Sequence, residues 1–550
     1  MAALLDIFGF LSVILRGLIL TAQSFVVGGV IFQLLLLRPL AGDMGAALEP
    51  IWRRCRILLF WSALVFALFE LIGVTLQCAV LIGTVDITPF EAVTANFALA
   101  GLALGAVAIA IAGLSRGSRG VFAIAAMTVL AVLALVLQSA TSHAMARLDD
   151  RAPLAVAEIL HMAGAAVWIG GIPYFLIALN GVEGGAAWRR VGKRFSVMAM
   201  ASVAMLLTAG IFMSVFYLGD FDALYGTAYG VMVVGKAGLL AGLLFLGGMN
   251  FLLVERLRRD PTTPVLRLKR FAEAELGIGL TVLFAAASLT SQPPAVDLTI
   301  DRASWAEVVE RLTPEWPRLT SPDRSQLIAY RIELAREEAA KTHRQLPIAY
   351  VLGSGVLPPR DANDIAWSEY NHHWAGIAVL VIGLLALGER SRLVPSGKHW
   401  PLMFVVLAVF LFFRSDPEVW PLGEIGFFDS LRDPEVAQHR AFVLLIAAFG
   451  IFEWCVRTGR FQSSKPALAF PLLCATGSAL LLTHQHNLVN VKEQLLIEIT
   501  HLPIALLGVA AGWSRWLELR LAPPGNRIAG WVWPIAFALV GALLLMYRET

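Results

Sequence analysis

The stretch VFAIAAMTVLAVLALVLQSATSHAMARLDDRAPLAVAEILHMAGAAVW, residues 121–168, decides the fold. Residues 121–142 carry no charge. At helical rise they are about 33 Å long, enough to cross a hydrocarbon core of about 30 Å. Arg147, Asp149, Asp150 and Arg151 interrupt the run, and a second apolar segment follows over residues 153–179. The pattern predicts two antiparallel membrane helices joined by a short polar loop. Glu158 and His161 fall about a dozen ångströms inside the second helix. A carboxylate and an imidazole are costly in hydrocarbon unless paired, hydrated or bound to a metal, so this position is a candidate functional site.

The same reading extends outward along the chain. Hydrophobic residues make up 58% and charged residues 15% of 550, with a mean hydropathy of +0.72, which excludes an ordinary soluble protein. Further apolar segments lie near residues 7–37, 57–83, 92–114, 196–218, 229–254, 271–290, 373–389, 400–413, 440–456, 467–483, 493–513 and 529–546. The expected fold class is an all-α polytopic integral membrane protein of about 14 transmembrane helices, with residues 400–413 the weakest span. A polar interval divides the helices into two bundles. The expected domains are an eight-helix domain over 1–292, a periplasmic insert over 293–371 and a six-helix, histidine-containing domain over 372–550. Within the insert, Ser325 to Lys341 alternates apolar and charged positions at helical spacing.

Arg38, Arg53, Arg54 and Arg56, then Arg116 and Arg119, then Arg189, Arg190, Lys193 and Arg194 occupy alternate connections. The positive-inside rule makes these connections cytoplasmic and puts both termini on the outer side of the membrane. The net charge of +3 is accounted for by this topology, and no nucleic-acid partner is expected. Asp6 stands where a signal peptide would carry basic residues, and the first apolar stretch is longer than a signal core, so it reads as the first span.

Glu158, Ile159, Leu160 and His161 are echoed 340 residues later by Glu498, Ile499, Thr500 and His501. The frame THQHNLVNVKEQLLIEITHLPIALLGV, residues 483–509, again runs from span end through a loop into a span. His143 precedes His161 by 18 residues and His486 precedes His501 by 15, so each hairpin draws an interfacial histidine toward a buried one. Each glutamate lies three residues before its histidine and shares a helix face with it, placed to orient the ring or to take up a proton when a cation arrives. The candidate metal ligands are His143, Met145, Glu158, His161 and Met162 in the first half and His484, His486, Glu498 and His501 in the second. His372, His373 and His439 are further candidates at outer helix ends, where anchoring of the helix end is the alternative role. Eight methionines fall between residues 145 and 249, whereas the second half has only Met403 and Met546. Thioether sulfur suits Cu(I), although methionine also fills gaps between helices. Lys236 lies inside a span and is a further candidate, either as a charge partner for Glu70 or Glu158 or as a side chain that snorkels toward an interface.

The segment LHMAGAAVWIGGIPYFLIAL, residues 160–179, with His161, Trp168, Gly170 and Gly171, resembles the signature of the bacterial copper resistance protein D family. The resemblance continues through RFSVMAMASVAMLLTAGIFMSVFYLG, LYGTAYGVMVVGKAGLLAGLLFLGGMN and LTSQPPA, and covers about residues 1–295. It implies an inner-membrane protein that binds copper, as Cu(I) or Cu(II), works beside a periplasmic copper-binding protein and moves copper inward. Buried histidines also suit a haem-binding, cytochrome-like electron carrier. A copper-delivery assembly factor without transport is a third class. No nucleophile with its base, no Walker sequence and no nucleotide-binding glycine loop is present, so an enzyme is not expected. Cys55, Cys78, Cys455 and Cys474 have no CxxC spacing and predict neither a disulfide framework nor a zinc site.

Overall fold

A computed structural model of the chain describes residues 2–85, 87–117, 120–142, 145, 149–298, 302–323, 362–417, 419–423, 425–431, 434–482 and 491–549. Among the described residues twelve helices are long and apolar enough to cross a membrane, and Leu402–Arg414 and Lys465–Leu481 are two shorter apolar helices. The protein is an all-α polytopic membrane protein, and the described residues contain no β-strand beyond one isolated bridge between Val419 and Ile425. The α-helix over Leu402–Arg414 has 13 residues. It rises only about 20 Å, short of the hydrocarbon thickness, which is why 400–413 reads as the weakest span.

The chain forms two compact units. The first comprises Phe10–Leu224 and Met232–Ile300, and the second comprises Met1–Gly9, Tyr225–Val231 and Asp301–Thr550. The longer helices that lie wholly or mostly in the first are α1 (Ala2–Phe32), α2 (Glu49–Thr84), α3 (Asn96–Arg116), α4 (Val121–Ser139), α5 (Arg151–Trp168), α6 (Ile172–Gly181), α7 (Gly185–Leu218), α8 (Ala228–Arg259) and α9 (Leu266–Leu289). The α1 helix runs on through a π-helical turn at Gln33–Leu37.

The apolar segment 153–179 is not one continuous helix. It stops at Trp168 and restarts at Ile172, with a proline in the first turn of α6. The break is a packing device. A Cβ on Gly170 would overlap the carbonyl of Ser24 in α1, and a Cβ on Gly28 would overlap the carbonyl of Ala166 in α5. Glycine at both positions lets the two backbones touch. The Tyr174 hydroxyl then donates to the Phe25 carbonyl at 2.9 Å, and Phe175 stacks on Phe195 of α7 with ring centroids 4.1 Å apart.

The second unit contains α10 (Trp305–Leu312), α11 (Ala362–Arg390), α12 (Leu402–Arg414), α13 (Pro434–Arg457), α14 (Ala469–Leu481), α15 (Val491–Arg520) and α16 (Gly525–Leu545). Trp400, Phe404, Phe470 and Trp533 form an aromatic core. Gly376 and Gly383 of α11 and Gly541 of α16 allow those two helices to cross at backbone distance. At the arginine-rich ends, Arg457 bonds Glu389 at 2.9 Å and Glu453 at 3.0 Å, while Glu518 takes Arg515, Arg390 and the Trp533 indole. Pairing of this kind is what permits charge at the end of an apolar helix.

In the polar insert, Ser304 caps α10 and Glu307 closes a capping box with it. This helix docks on α15, where Arg311 Nε donates to the Leu496 carbonyl at 3.3 Å and Lys492 Nζ meets Glu307 at 2.5 Å. The helical pattern at 325–341 lies outside the described residues.

Candidate metal sites

His161 projects from α5 toward α7. Its Nδ1 lies 3.1 Å from the Leu206 carbonyl oxygen, and Gly210 sits against the ring, where an added Cβ would stand 3.1 Å from Cε1. A carbonyl oxygen only accepts, so Nδ1 carries the hydrogen and the lone pair falls on Nε2, the arrangement in which an imidazole ligates a metal. Lys236 of α8 is close enough to act on this ring electrostatically. Met162 is half-buried beside it.

Glu158, three residues earlier on the same helix, has different company. Its Oε2 accepts from Ser139 Oγ at 3.2 Å and from Ser142 Oγ, both at the end of α4. The cation that acts on both Glu158 and Glu70 is Arg16 of α1, in place of Lys236, which its position within a span had offered. In the amide orientation that satisfies both groups, Gln138 accepts from Arg16 Nη2 at 2.8 Å and Nη1 at 2.5 Å. Arg16, Glu70, Gln138, Ser142 and Glu158 line one cavity of about 420 Å³. The structure therefore separates the carboxylate of the first quartet from its imidazole.

In the second unit the histidines converge. His372 of α11 and His501 of α15 have ring centroids 5.8 Å apart and nearly perpendicular, and Tyr547 stacks on His372 at 4.0 Å and meets His501 edge-on at 5.5 Å. His372 Nδ1 is 2.8 Å from the Ser368 carbonyl and His501 Nδ1 is 2.8 Å from the Ile497 carbonyl. Each ring is thus tied to its own helix four residues back through Nδ1–H, and Nε2 again carries the lone pair. Two imidazole rings on facing helices thus come into contact.

His373 and His439 play other parts. His373 is buried; its Nδ1 accepts from the Arg318 backbone N–H at 2.7 Å, and its Nε2–H donates to the Tyr547 carbonyl at 2.8 Å. Both nitrogens serve the backbone. His439 Nδ1 bonds Asp416 at 2.6 Å and joins α13 to the loop after α12. His143, His484 and His486 lie outside the described residues, while Met145 is half-buried. Among the described residues no three His, Cys, Asp or Glu side chains converge on one point.

Three polar residues were not singled out by sequence reading as site residues in their own right: Arg16, Gln138 and Glu275. Glu275 of α9 is buried and takes hydrogen bonds from Asn250 of α8 and from the Trp168 indole. This gives Trp168 and Asn250, two residues that carry the family resemblance, a common buried partner. The signal was available: one arginine within the first apolar run, and Glu275 deeper than Glu273 in the last span of the first half, are expensive in hydrocarbon.

Residues 189–289 match the family model of copper resistance protein D. The copper transport protein CutJ of Bacillus subtilis (strain 168) is 32% identical over 163 residues. That stretch covers 29% of this chain and 29% of the relative, so the chain spans less than a third of the length of the curated relative it matches. No solved structure matches the chain. The family match contains Leu206, Gly210 and Lys236, the residues around the His161 ring, together with Asn250 and Glu275. Through that segment, this multi-pass membrane protein is similar to the copper resistance protein D family.

Proposed function

We propose that this protein carries copper ions across the bacterial inner membrane, inward, and serves copper homeostasis or resistance. The observation that carries this reading is that the wall around His161 is built from the family-matched segment, which supplies Leu206, Gly210 and Lys236. Neither the family nor the relative is named for catalysis, which supports a carrier over an enzyme.

In this proposal copper is cargo. His161 Nε2 is the donor in the first unit, and His372 and His501 are the donors in the second. His143, Met145, Met162, His484, His486 and Glu498 extend these sets toward the outer loops. Both termini and the insert face the periplasm, where a soluble copper-binding protein delivers the ion. Imidazole and thioether together suit either Cu(I) or Cu(II) on arrival, with sulfur favouring Cu(I). Uptake into proteoliposomes containing an entrapped copper chelator tests the reading. Wild-type protein is expected to load the chelator and His161→Ala to fail; equal uptake by the two refutes it.

The facing pair His372 and His501 also gives the haem reading its best support. Tyr547, stacked at 4.0 Å on His372, takes space that a macrocycle would need. Visible absorption separates the two: a bis-histidine Soret band in purified protein would favour the electron carrier.

A further inference from the structure

The cavity at Arg16 carries chemistry that copper binding does not use. Two carboxylates, Glu70 of α2 and Glu158 of α5, share a single guanidinium from α1. Glu70 is only 6% exposed, lines the cavity, and its Oε1 has no hydrogen-bond partner among the described residues. Glu158 is solvated by the hydroxyls of Ser139 and Ser142, and Gln138 covers the guanidinium. The other helix that faces Glu70 is α3, which offers Phe97, Gly101 and Leu104 and no titratable group. Thr290 and Ser291, past the end of α9, add hydroxyls only.

We infer that Arg16, Glu70 and Glu158 form a proton-binding site that holds one exchangeable proton from the aqueous phase. Two carboxylates against one guanidinium leave a surplus negative charge, and an uncompensated charge at this depth is expensive. One proton on a carboxylate oxygen makes the cluster neutral, and no other bond forms or breaks. A metal ion suits the site poorly, because the guanidinium repels it and the oxygen donors are hard where copper prefers nitrogen or sulfur. The cavity supplies the route. Its lining comes from the beginnings of α1, α3 and α5 and from the ends of α2, α4 and α9, the ends remote from the arginine-rich connections. That this proton exchanges against copper rests on the transport reading above; the site itself does not.

Infrared absorption of protonated carboxyl groups, recorded on the full chain in metal-free lipid bilayers at neutral pH, tests the site without copper. Glu70→Gln is expected to remove one carboxyl equivalent, because Glu158 then balances Arg16. Arg16→Met is expected to raise that component twofold, because both carboxylates then take protons. Glu275→Gln, in the separate cluster with Asn250, is expected to leave it in place. An unchanged band in Glu70→Gln overturns the proposal, as does its loss when sodium replaces choline at fixed pH. Misfolding of Glu70→Gln also counts against it, since the amide is isosteric with the neutral carboxyl. Loss of copper uptake with this band intact would sink the transport reading alone.

Discussion

His161 and His501 occupy the same place in two nearly identical quartets, yet the two units surround them differently. His161 is tied across to the neighbouring helix at Leu206 and stands beside Lys236, whereas His501 is tied to its own helix at Ile497 and faces a second imidazole and a phenol. The glutamates diverge as well: Glu158 belongs to the Arg16 cavity, away from the ring that it precedes. A short motif places a side chain at a depth. The helices packed against it decide its chemistry.

The most disruptive way to probe this comparison is to remove the packing that builds one side of it. Gly170→Leu would drive a side chain into the Ser24 backbone and part α1 from the α5–α6 break. A loss of about 3 kcal/mol or more in folding stability is expected, read as lost monodisperse protein and a lowered Tm in detergent. Near-wild-type Tm would show that the break is not held by this contact.

Copper titrations of the single variants measure whether the two histidine sites are distinct. Each of His161→Ala and His501→Ala should weaken one class of site by at least the roughly 10–100-fold that loss of a supporting residue costs, and His372→Ala should copy His501→Ala. If His372→Ala behaves like wild type, the facing pair is not a ligand pair. The double variant His161→Ala/His501→Ala should show additive losses, because the sites sit in separate units.

His373 sharpens the contrast within the second unit. His373→Ala strands the Arg318 N–H and the Tyr547 carbonyl, at a cost of about 2 kcal/mol, and should leave copper stoichiometry unchanged. Copper loss at unchanged stability would return His373 to the ligand set.

The smallest effect concerns acid sensitivity of the insert. Lys492, and then the Ser304 backbone and hydroxyl, hold the Glu307 carboxyl down to about 2 from an ordinary value of 4.5. Because the folded form is the stronger acid, its contribution is fully present above pH 4.5 and is lost as pH falls toward 2. Lys492→Met should narrow that window, seen as a shallower decline of Tm between those pH values. An identical decline would assign the acid sensitivity elsewhere.

Much of the fold was legible because the bilayer imposes a single simple demand. Every apolar run that was read as a span is helical in the structure, although 153–179 is broken at Ile169–Gly171, and the marginal run at 400–413 is one of two that form shorter helices, with Lys465–Leu481. The discontinuity at Ile169–Gly171 was marked by two glycines and Pro173, but only the proximity of Ser24 explains it. His373 and His372 are adjacent in sequence and similar in exposure to a reader of hydropathy. Successive helical residues point about 100° apart, so His373 met the backbone of Arg318 and Tyr547 and His372 met the Tyr547 ring. Likewise, its position within a span offered Lys236 as the cation for the buried carboxylates, while the fold brought Arg16 to them from a position more than fifty residues away in sequence from either.

By itself, then, the sequence determined that the chain crosses a membrane many times, where its apolar runs lie, and roughly how deep each charged residue sits, since hydropathy and helical rise are properties of single segments. It also carried the resemblance to copper resistance protein D, in the segment 189–289. Tertiary structure alone decided which charges share a cavity, which ring nitrogens are consumed by the backbone, and which imidazoles meet. Those outcomes depend on the rotation of each helix about its axis, which is fixed by packing between residues far apart in the chain.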